Sequence, residues 1–185
     1  WSSGSIAQGI VQGMDPLVSQ AHGAGDGNAV ALAFQRGLVI AVLVSLPLMA
    51  LLIWAKPLLL FLGQEPRIEE LAGPWVHAVA FGLPFALGFG VLRGFATAVD
   101  KQRAVLVIAV LTVLFNILGN YVLIYGNFGA PALGVTGSGI ASALAYAFSF
   151  FAMLGVFLIA PSFRKYHLLH RFFHPSWPKF AEVFR

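Results

Sequence analysis

The chain has 185 residues, of which 59% are hydrophobic and only 10% are charged, and its mean hydropathy is +0.85. A soluble domain carries about 25% charged residues, so this composition excludes an ordinary soluble domain and indicates a membrane protein. The net charge of +4 is not gathered into a basic patch on a soluble fold, which argues against nucleic-acid binding, and the absence of cysteine excludes a disulfide framework.

Five apolar stretches follow one another along the chain. Each is long enough to cross a bilayer, which takes roughly 20 residues in a helix. Long runs without strict alternation predict helices rather than strands, and helices satisfy their own backbone groups in lipid. We therefore predict an all-α transmembrane helical bundle. Its spans are predicted at about 1–22, 37–62, 72–98, 104–125 and 137–160.

The first stretch lacks a basic start and contains Asp15, so it is predicted to be a span and not a signal peptide. The chain begins inside this stretch without a methionine, and its last residues, "HPSWPKFAEVFR", have the character of the start of another element. We expect a fragment of a longer protein. Residues 1–160 would form part of a transmembrane lobe, and 161–185 a basic connector toward the next helix.

The basic residues are concentrated in alternate loops. Nine lie in or around the loops after the first, third and fifth spans, and two lie around the loop after the second span. Basic residues stay on the cytoplasmic side of a membrane, so we predict that 23–36, 99–103 and 161–185 are cytoplasmic. Residues 63–70 and 126–136 are predicted to be external. Three histidines of the tail have helical spacing, but we interpret the tail as an amphipathic segment at the membrane surface rather than a metal site.

A polar stripe runs along the first span. Gln8, Gln12, Asp15 and Ser19 step by three and four residues, which places them on one helix face. Ionisable groups inside a membrane cost a few kcal/mol and are usually functional. Gln12 and Asp15 are therefore candidates for lining a cavity. The alternative is that Asp15 lies near the cytoplasmic helix end, where it reaches water or pins a neighbouring helix.

The fourth span carries a second stripe, in which Thr112, Asn116 and Asn120 step by four residues. Two amides and a hydroxyl on one face are suited to holding a small cation or a hydrogen-bonding ligand. The same side chains also serve as contacts between helices, each worth about 0.6 kcal/mol in a membrane. Both interpretations stay open on this pattern alone.

A third stripe lies on the fifth span and contains Ser138, Ser142, Tyr146 and Ser149. Small serines in membrane helices often only permit close packing, so this stripe by itself favours a structural role. Tyr146 is a candidate for lining a cavity.

Four segments resemble the multidrug and toxic compound extrusion (MATE) family of transporters. "DPLVSQAHGAGD" (15–26) is similar to the end of the family's second helix, and "LLFLGQEPRIEELA" (59–72) to an outer loop. "LRGFATAVDKQR" (92–103) is similar to the exit of the fourth helix, and "NILGNYVLIYGNFGAPALGVTGSGIASAL" (116–144) to the segment from the fifth to the sixth helix. The segments occur in the family's order, and the resemblance covers nearly the whole chain.

The resemblance implies that the five spans are helices two to six of a twelve-helix, two-lobed exporter. Such an exporter works by alternating access, is driven by inward Na⁺ or H⁺, and needs no other cofactor. The implied cation site combines an Asp of helix one, which is absent here, with Asn116, Asn120 and Ser142. Some relatives have Asp at the position of Asn120, and Thr is common at that of Ser142. The position of Asp15 varies between neutral and acidic residues.

The expected function is cation-coupled efflux of cationic or amphipathic drugs across the plasma or inner membrane. The protein would be multi-pass, and a C-terminal lobe of the same chain would complete it. One alternative is a flippase for lipid-linked oligosaccharides or polysaccharides, which would need cationic residues inside the spans to meet a diphosphate. Another is a membrane scaffold without transport, which the polar stripes disfavour. An enzyme is not expected, because the sequence shows no nucleophile–base pair, metal-ligand set or phosphate-cradling loop.

The charge distribution leads to a test of topology. Cysteines introduced into 161–185 are expected to react with a thiol reagent only from the cytoplasm, and cysteines in 126–136 only from outside, because nine of eleven basic residues lie in or beside the loops assigned to the inside. The measurement is labelling of intact cells with a membrane-impermeant maleimide, with permeabilised cells as the control. Labelling in the opposite sense would contradict the assignment.

Overall fold

The computed structural model describes residues 27–54 and 66–159, which form four long α-helices and one short 3-10 helix. The α-helices are α1 (Gly27–Ile53), α2 (Pro66–Ala98), α3 (Gln102–Tyr125) and α4 (Gly134–Ile159), and the 3-10 helix is Asn127–Gly129. All four α-helices are long and apolar enough to cross a membrane. The predicted all-α transmembrane fold is confirmed, and the predicted span 1–22 and the tail 161–185 lie outside the described residues.

All four α-helices begin earlier than the hydropathy predicts, α1 and α2 by the most. α1 starts at Gly27, so the segment 23–36, predicted as a loop, is helical from that residue onward. α2 starts at Pro66, inside the predicted external segment 63–70. A helix can continue beyond the hydrocarbon core, because its backbone hydrogen bonds are formed within the helix. The 33 residues of α2 extend about 50 Å at 1.5 Å per residue, against a hydrocarbon core of about 30 Å.

The main buried cluster joins all four helices at the end of the bundle where α1 starts and α4 ends. Phe34 of α1, Phe95 of α2 and Phe157 of α4 pack with ring centroids 5.1 to 5.9 Å apart. None of the three rings is more than 6% exposed. Ile108 of α3 and Met153 of α4 complete the cluster. Edge-on aromatic packing of this kind is worth about 0.5–1.5 kcal/mol per pair beyond the burial of area.

Small residues bring α2 and α4 together. A side chain at Gly82 would lie 2.9 Å from the Ala143 backbone, and one at Gly88 would lie 2.7 Å from the Phe150 ring. On α4 a side chain at Gly139 would lie 2.9 Å from the carbonyl oxygen of Trp75. In lipid there is no hydrophobic force between helices, so association depends on close backbone approach of this type.

α3 is attached to the bundle mainly through α4. A side chain at Gly119 would lie 3.2 Å from the Ala141 methyl group, and one at Gly137 would collide with the carbonyl group of Leu123. The opposite face of α3 consists of exposed apolar side chains, as expected for contact with lipid. α3 is therefore held along one seam, formed with α4.

The two described turns both contain a non-glycine residue in the left-handed region. In the turn after α2, Asp100 has φ of 59°, and the Lys101 N–H donates to the Ala96 carbonyl at 2.8 Å. Between α3 and α4, Gly126 has φ of 74° and Phe128 has φ of 58°. The left-handed conformation costs roughly 1–2 kcal/mol for an L-residue with a Cβ atom. Asp tolerates it through local hydrogen bonding, whereas Phe has no such compensation.

The α3–α4 seam leads to a prediction with an internal control. Gly137→Ala should destabilise the protein by roughly 1–3 kcal/mol, because the added methyl group meets backbone that has no room to move. Gly155 is also in α4, but a side chain there meets nothing within 4 Å, so Gly155→Ala should leave stability unchanged or raise it. Thermal unfolding of the purified protein in detergent measures both. Equal unfolding midpoints for the two variants would contradict the proposed tightness of the seam.

Candidate functional site

The two predicted asparagines form a hydrogen-bonded pair on α3. The Asn120 side-chain N–H₂ group donates to the side-chain oxygen of Asn116 at 3.0 Å and to its backbone carbonyl at 2.9 Å. Both residues are partly buried. One turn of helix separates them, so the pairing follows directly from the four-residue spacing. The structure thus brings together the two amides that the sequence placed on one face.

The carbonyl oxygen of the Asn120 side chain is buried and has no hydrogen-bond partner within the part of the chain that the structure describes. A buried polar atom left without a partner costs about 1–3 kcal/mol. The amide orientation is fixed by its neighbour, because the N–H₂ group is the end that faces the two acceptor oxygens of Asn116. The opposite end therefore presents an acceptor that a cation or a donor would stabilise.

The predicted hydroxyls each donate to a carbonyl of their own helix. Thr112 Oγ1 donates to the Ile108 carbonyl at 2.8 Å, and Ser142 Oγ donates to the Ser138 carbonyl at 3.0 Å. This bond uses the hydroxyl hydrogen and leaves the oxygen lone pairs available. A hydroxyl in this state still accepts a hydrogen bond or ligates a cation, so neither residue loses its candidate role.

Asn120 and Ser142 flank one of the close approaches of α3 and α4. Gly119 faces Ala141 across the seam, and a methyl group added at Gly119 would lie 3.2 Å from that of Ala141. Asn120 and Ser142 are the next residues along their respective helices. One helical turn from Gly119, the Phe115 and Phe148 rings stack with centroids 4.9 Å apart and an angle of 7°. These apolar contacts fix the spacing of the helices where the polar side chains lie.

Tyr146 lies at a different helix interface. A side chain at Gly82 of α2 would lie 2.9 Å from the Tyr146 ring, so Tyr146 borders the contact between α2 and α4. Its side chain is 37% exposed. The asparagine pair belongs instead to α3. Gln12 and Asp15 lie outside the described residues, and their part in a cavity stays a prediction.

Carboxylates are scarce around the asparagine pair. Among the side chains that the structure describes, at 34–54 and 73–159, Asp100 is the one acid, and it lies at the turn where α3 begins. The same residues contain no group of three His, Cys, Asp or Glu side chains suited to a metal ion. The pair therefore offers neutral amide oxygens, with a hydroxyl oxygen on the facing helix. Such oxygens suit hard cations, but affinity rises with the number of charged ligands.

Two buried polar contacts lie outside the predicted stripes. Ser45 of α1 is fully buried and donates to the Val42 carbonyl at 2.8 Å. The His77 ring of α2 is hydrogen-bonded to the Ile53 carbonyl at 3.1 Å, across to the end of α1. Each is an isolated polar residue in an apolar run, with no polar partner three or four positions away. The spacing that identified the other stripes was therefore absent for both.

Comparison with known proteins identifies relatives that match most of the chain. The sequence model of the MatE family matches residues 1–122. The chain is 38% identical over 170 residues to a protein of Bradyrhizobium diazoefficiens named "Probable multidrug resistance protein NorM". It is 37% identical over 162 residues to a protein of the same name from a Synechococcus strain. These matches cover 92% and 88% of this chain.

The fold is also that of a solved transporter. A structure described as the inward-facing conformation of a multidrug resistance MATE family transporter of the MOP superfamily superimposes with a TM-score of 0.81 at 18% identity. The match covers 96% of this chain and 39% of the other. The chain likewise spans 36% and 35% of the lengths of the two curated relatives.

Proposed function

Because this chain belongs to the MatE family, we propose that it forms part of a multi-pass multidrug efflux antiporter of the plasma or inner membrane, coupled to Na⁺ or H⁺. The names of its relatives describe multidrug resistance proteins, and the aligned structure is a multidrug transporter. The transported compounds would be cationic or amphipathic drugs, and the lobe described here would work together with a second lobe.

The observation that carries the coupling proposal is the buried carbonyl oxygen of Asn120. A polar atom without a partner inside a membrane segment is costly, and it lies beside the amide of Asn116 and near the seam that α4 shares with α3. In this proposal Asn116, Asn120 and Ser142 supply neutral oxygens to the coupling ion. A carboxylate from another helix would supply the negative charge.

An ion drives transport only if it binds one conformation more tightly than the other. Part of the proposed site would come from another helix, so a change in the distance between that helix and α3 changes the number of oxygens that reach the ion. Thr112 on the same face as the amides, and Tyr146 on α4, would line the cavity together with Gln12 and Asp15. Coupling then follows from the dependence of ion affinity on helix position.

The charge distribution supports a drug substrate over a lipid-linked diphosphate. Among the side chains described at 34–54 and 73–159, the basic ones are Arg36, Arg93, Lys101 and Arg103, and all four lie toward helix ends. A diphosphate buried at the middle of the bundle would need cationic partners there. The apolar and aromatic walls suit amphipathic cations, which need few polar contacts.

The ion proposal is tested by adding charge at the amide pair. In the complete transporter, Asn120→Asp should lower the Na⁺ concentration needed for thermal stabilisation by roughly tenfold, equal to about 1.4 kcal/mol, if Na⁺ is the coupling ion. If H⁺ is the coupling ion, the pH dependence of ethidium efflux should shift instead. Asn127→Asp, in the loop beyond α3, is the matched control and should change neither property.

Asn120→Leu provides the converse test. It removes the buried oxygen and keeps a side chain of similar size, so protein stability should be maintained while cation-driven ethidium efflux is lost. Efflux at the wild-type rate in this variant would show that the amide is a structural contact and that ion binding lies elsewhere.

Asp15 is tested separately. Our hypothesis is that its carboxylate lines the cytoplasmic side of the cavity, because it lies on the polar stripe with Gln8, Gln12 and Ser19. Asp15→Asn keeps the shape and removes the charge, so ethidium efflux should fall while expression and thermal stability stay near wild type. Efflux that is unchanged, or that falls only in step with expression, would contradict this role.

A further inference from the structure

Exposed tryptophan and tyrosine side chains are concentrated at one end of the bundle. Trp54 follows the end of α1 and is 74% exposed, and Trp75, near the start of α2, is 38% exposed. Tyr121 and Tyr125 lie in the last turns of α3 and are 51% and 71% exposed, and Phe128 in the turn beyond is 86% exposed. Both described tryptophans and two of the three described tyrosines thus lie at the end where α3 leads into α4.

The opposite end of the bundle carries exposed charged side chains. Arg93, Asp100, Lys101 and Arg103 are exposed around the turn between α2 and α3. The aromatic rings at that end are the buried Phe34, Phe95 and Phe157 cluster described above. One end of the bundle therefore presents charged side chains around the α2–α3 turn, and the other presents aromatic rings; none of the side chains described at that second end, within 34–54 and 73–159, is charged.

Phe128 occupies a backbone conformation that disfavours it. Its φ of 58° lies in the left-handed region, where a bulky residue is an outlier. The turn is held in place around it, because the Asn127 side chain donates to the Tyr121 carbonyl at 3.1 Å and the Ala130 N–H donates to the Asn127 carbonyl at 3.2 Å. Such outliers persist where the surrounding structure imposes them, and they cluster at sites with a function.

The ring of Phe128 has little packing within the described chain to offset this cost. Its described ring contact is an edge-on approach to Tyr121, with centroids 6.5 Å apart. Tyr121 in turn lies 6.2 Å from the ring of Tyr125. The three rings form a connected, outward-facing group, which we call the aromatic cap (Tyr121, Tyr125 and Phe128).

We propose that the aromatic cap inserts into the headgroup region of the outer lipid leaflet and sets the depth of the α3–α4 hairpin in the membrane. Tyrosine and tryptophan are enriched at membrane–water interfaces, where an apolar ring meets lipid and a polar tip meets water. The 24 residues of α3 extend about 36 Å, slightly more than a hydrocarbon core of about 30 Å. With Gln102 at one boundary, Tyr125 reaches the other.

Lipid fits the aromatic cap better than a cationic ligand does. A cage for a quaternary ammonium group needs rings that enclose and desolvate the cation. The rings of the cap are splayed, at 53° and 71° to one another, and all three are more than half exposed. No acidic residue occurs in the sequence from Lys101 to Ile159, so no nearby carboxylate of this stretch would assist a cation.

The test uses Phe128→Trp in the complete protein, reconstituted in phosphatidylcholine vesicles, with every other tryptophan replaced by phenylalanine. The probe is quenching by lipids brominated either near the headgroup end or near the tail of the acyl chain. Two controls are matched to it. Ala132→Trp is exposed in the same loop, and Leu114→Trp is on the lipid-exposed face in the middle of α3.

The indole at position 128 should emit at shorter wavelength than the one at 132. It should lose more of its emission with bromine near the headgroup than near the tail, and the order should be reversed at position 114. Water-like emission without quenching would overturn the proposal, as would short-wavelength emission that neither lipid quenches, which indicates cover by protein. A change on adding tetraphenylphosphonium, with no quenching by lipid, would assign the rings to a cationic ligand and also overturn it.

Discussion

A bilayer offers no water to a polar group, and this constraint decides how nearly every polar side chain in the described bundle is used. Ser45, Thr112, Ser142 and Ser149 all donate their hydroxyl hydrogen to a carbonyl of their own helix, three or four residues earlier. Asn120 donates to Asn116 in the same way. These hydrogen bonds are thus formed within single helices, whereas the bond between His77 and the Ile53 carbonyl joins two. The carbonyl oxygen of Asn120 departs from this rule within the described residues, which is why the proposed ion site is centred on it.

Hydrogen bonds within single helices do not hold the helices together. Close contacts at small residues do. Gly82 and Gly139 allow the backbones of α2 and α4 to approach closely. Gly119 and Gly137 do the same for α3 and α4. Larger side chains then fill the space at one end, where the rings of Phe34, Phe95 and Phe157 meet. The polar residues of α3 are positioned by this apolar packing and not by bonds between helices.

The sequence was sufficient for the helices and for the asparagine pair, because both depend on short-range spacing. Hydropathy located four spans that the structure confirms, and a spacing of four residues placed Asn116 and Asn120 together. Helix ends were less predictable, as with α1 starting at Gly27, because a helix continues through the interface at no cost in hydrogen bonds. Ser45 and His77 were not predicted, because neither has a polar neighbour at helical spacing and the partner of His77 lies at the end of another helix. Whether Ser142 and Tyr146 share a site depends on tertiary geometry that spacing alone does not contain.

The tight seam between α3 and α4 has a mechanical consequence. The Leu133 N–H donates to the Leu123 carbonyl at 2.9 Å, and Gly137 packs against that same carbonyl group. Stacked Phe115 and Phe148 rings engage the two helices further along. With contacts at several levels, α3 cannot roll about its own axis without a collision with α4. The two helices are therefore expected to move together, as one rigid unit, about the contact between α4 and α2.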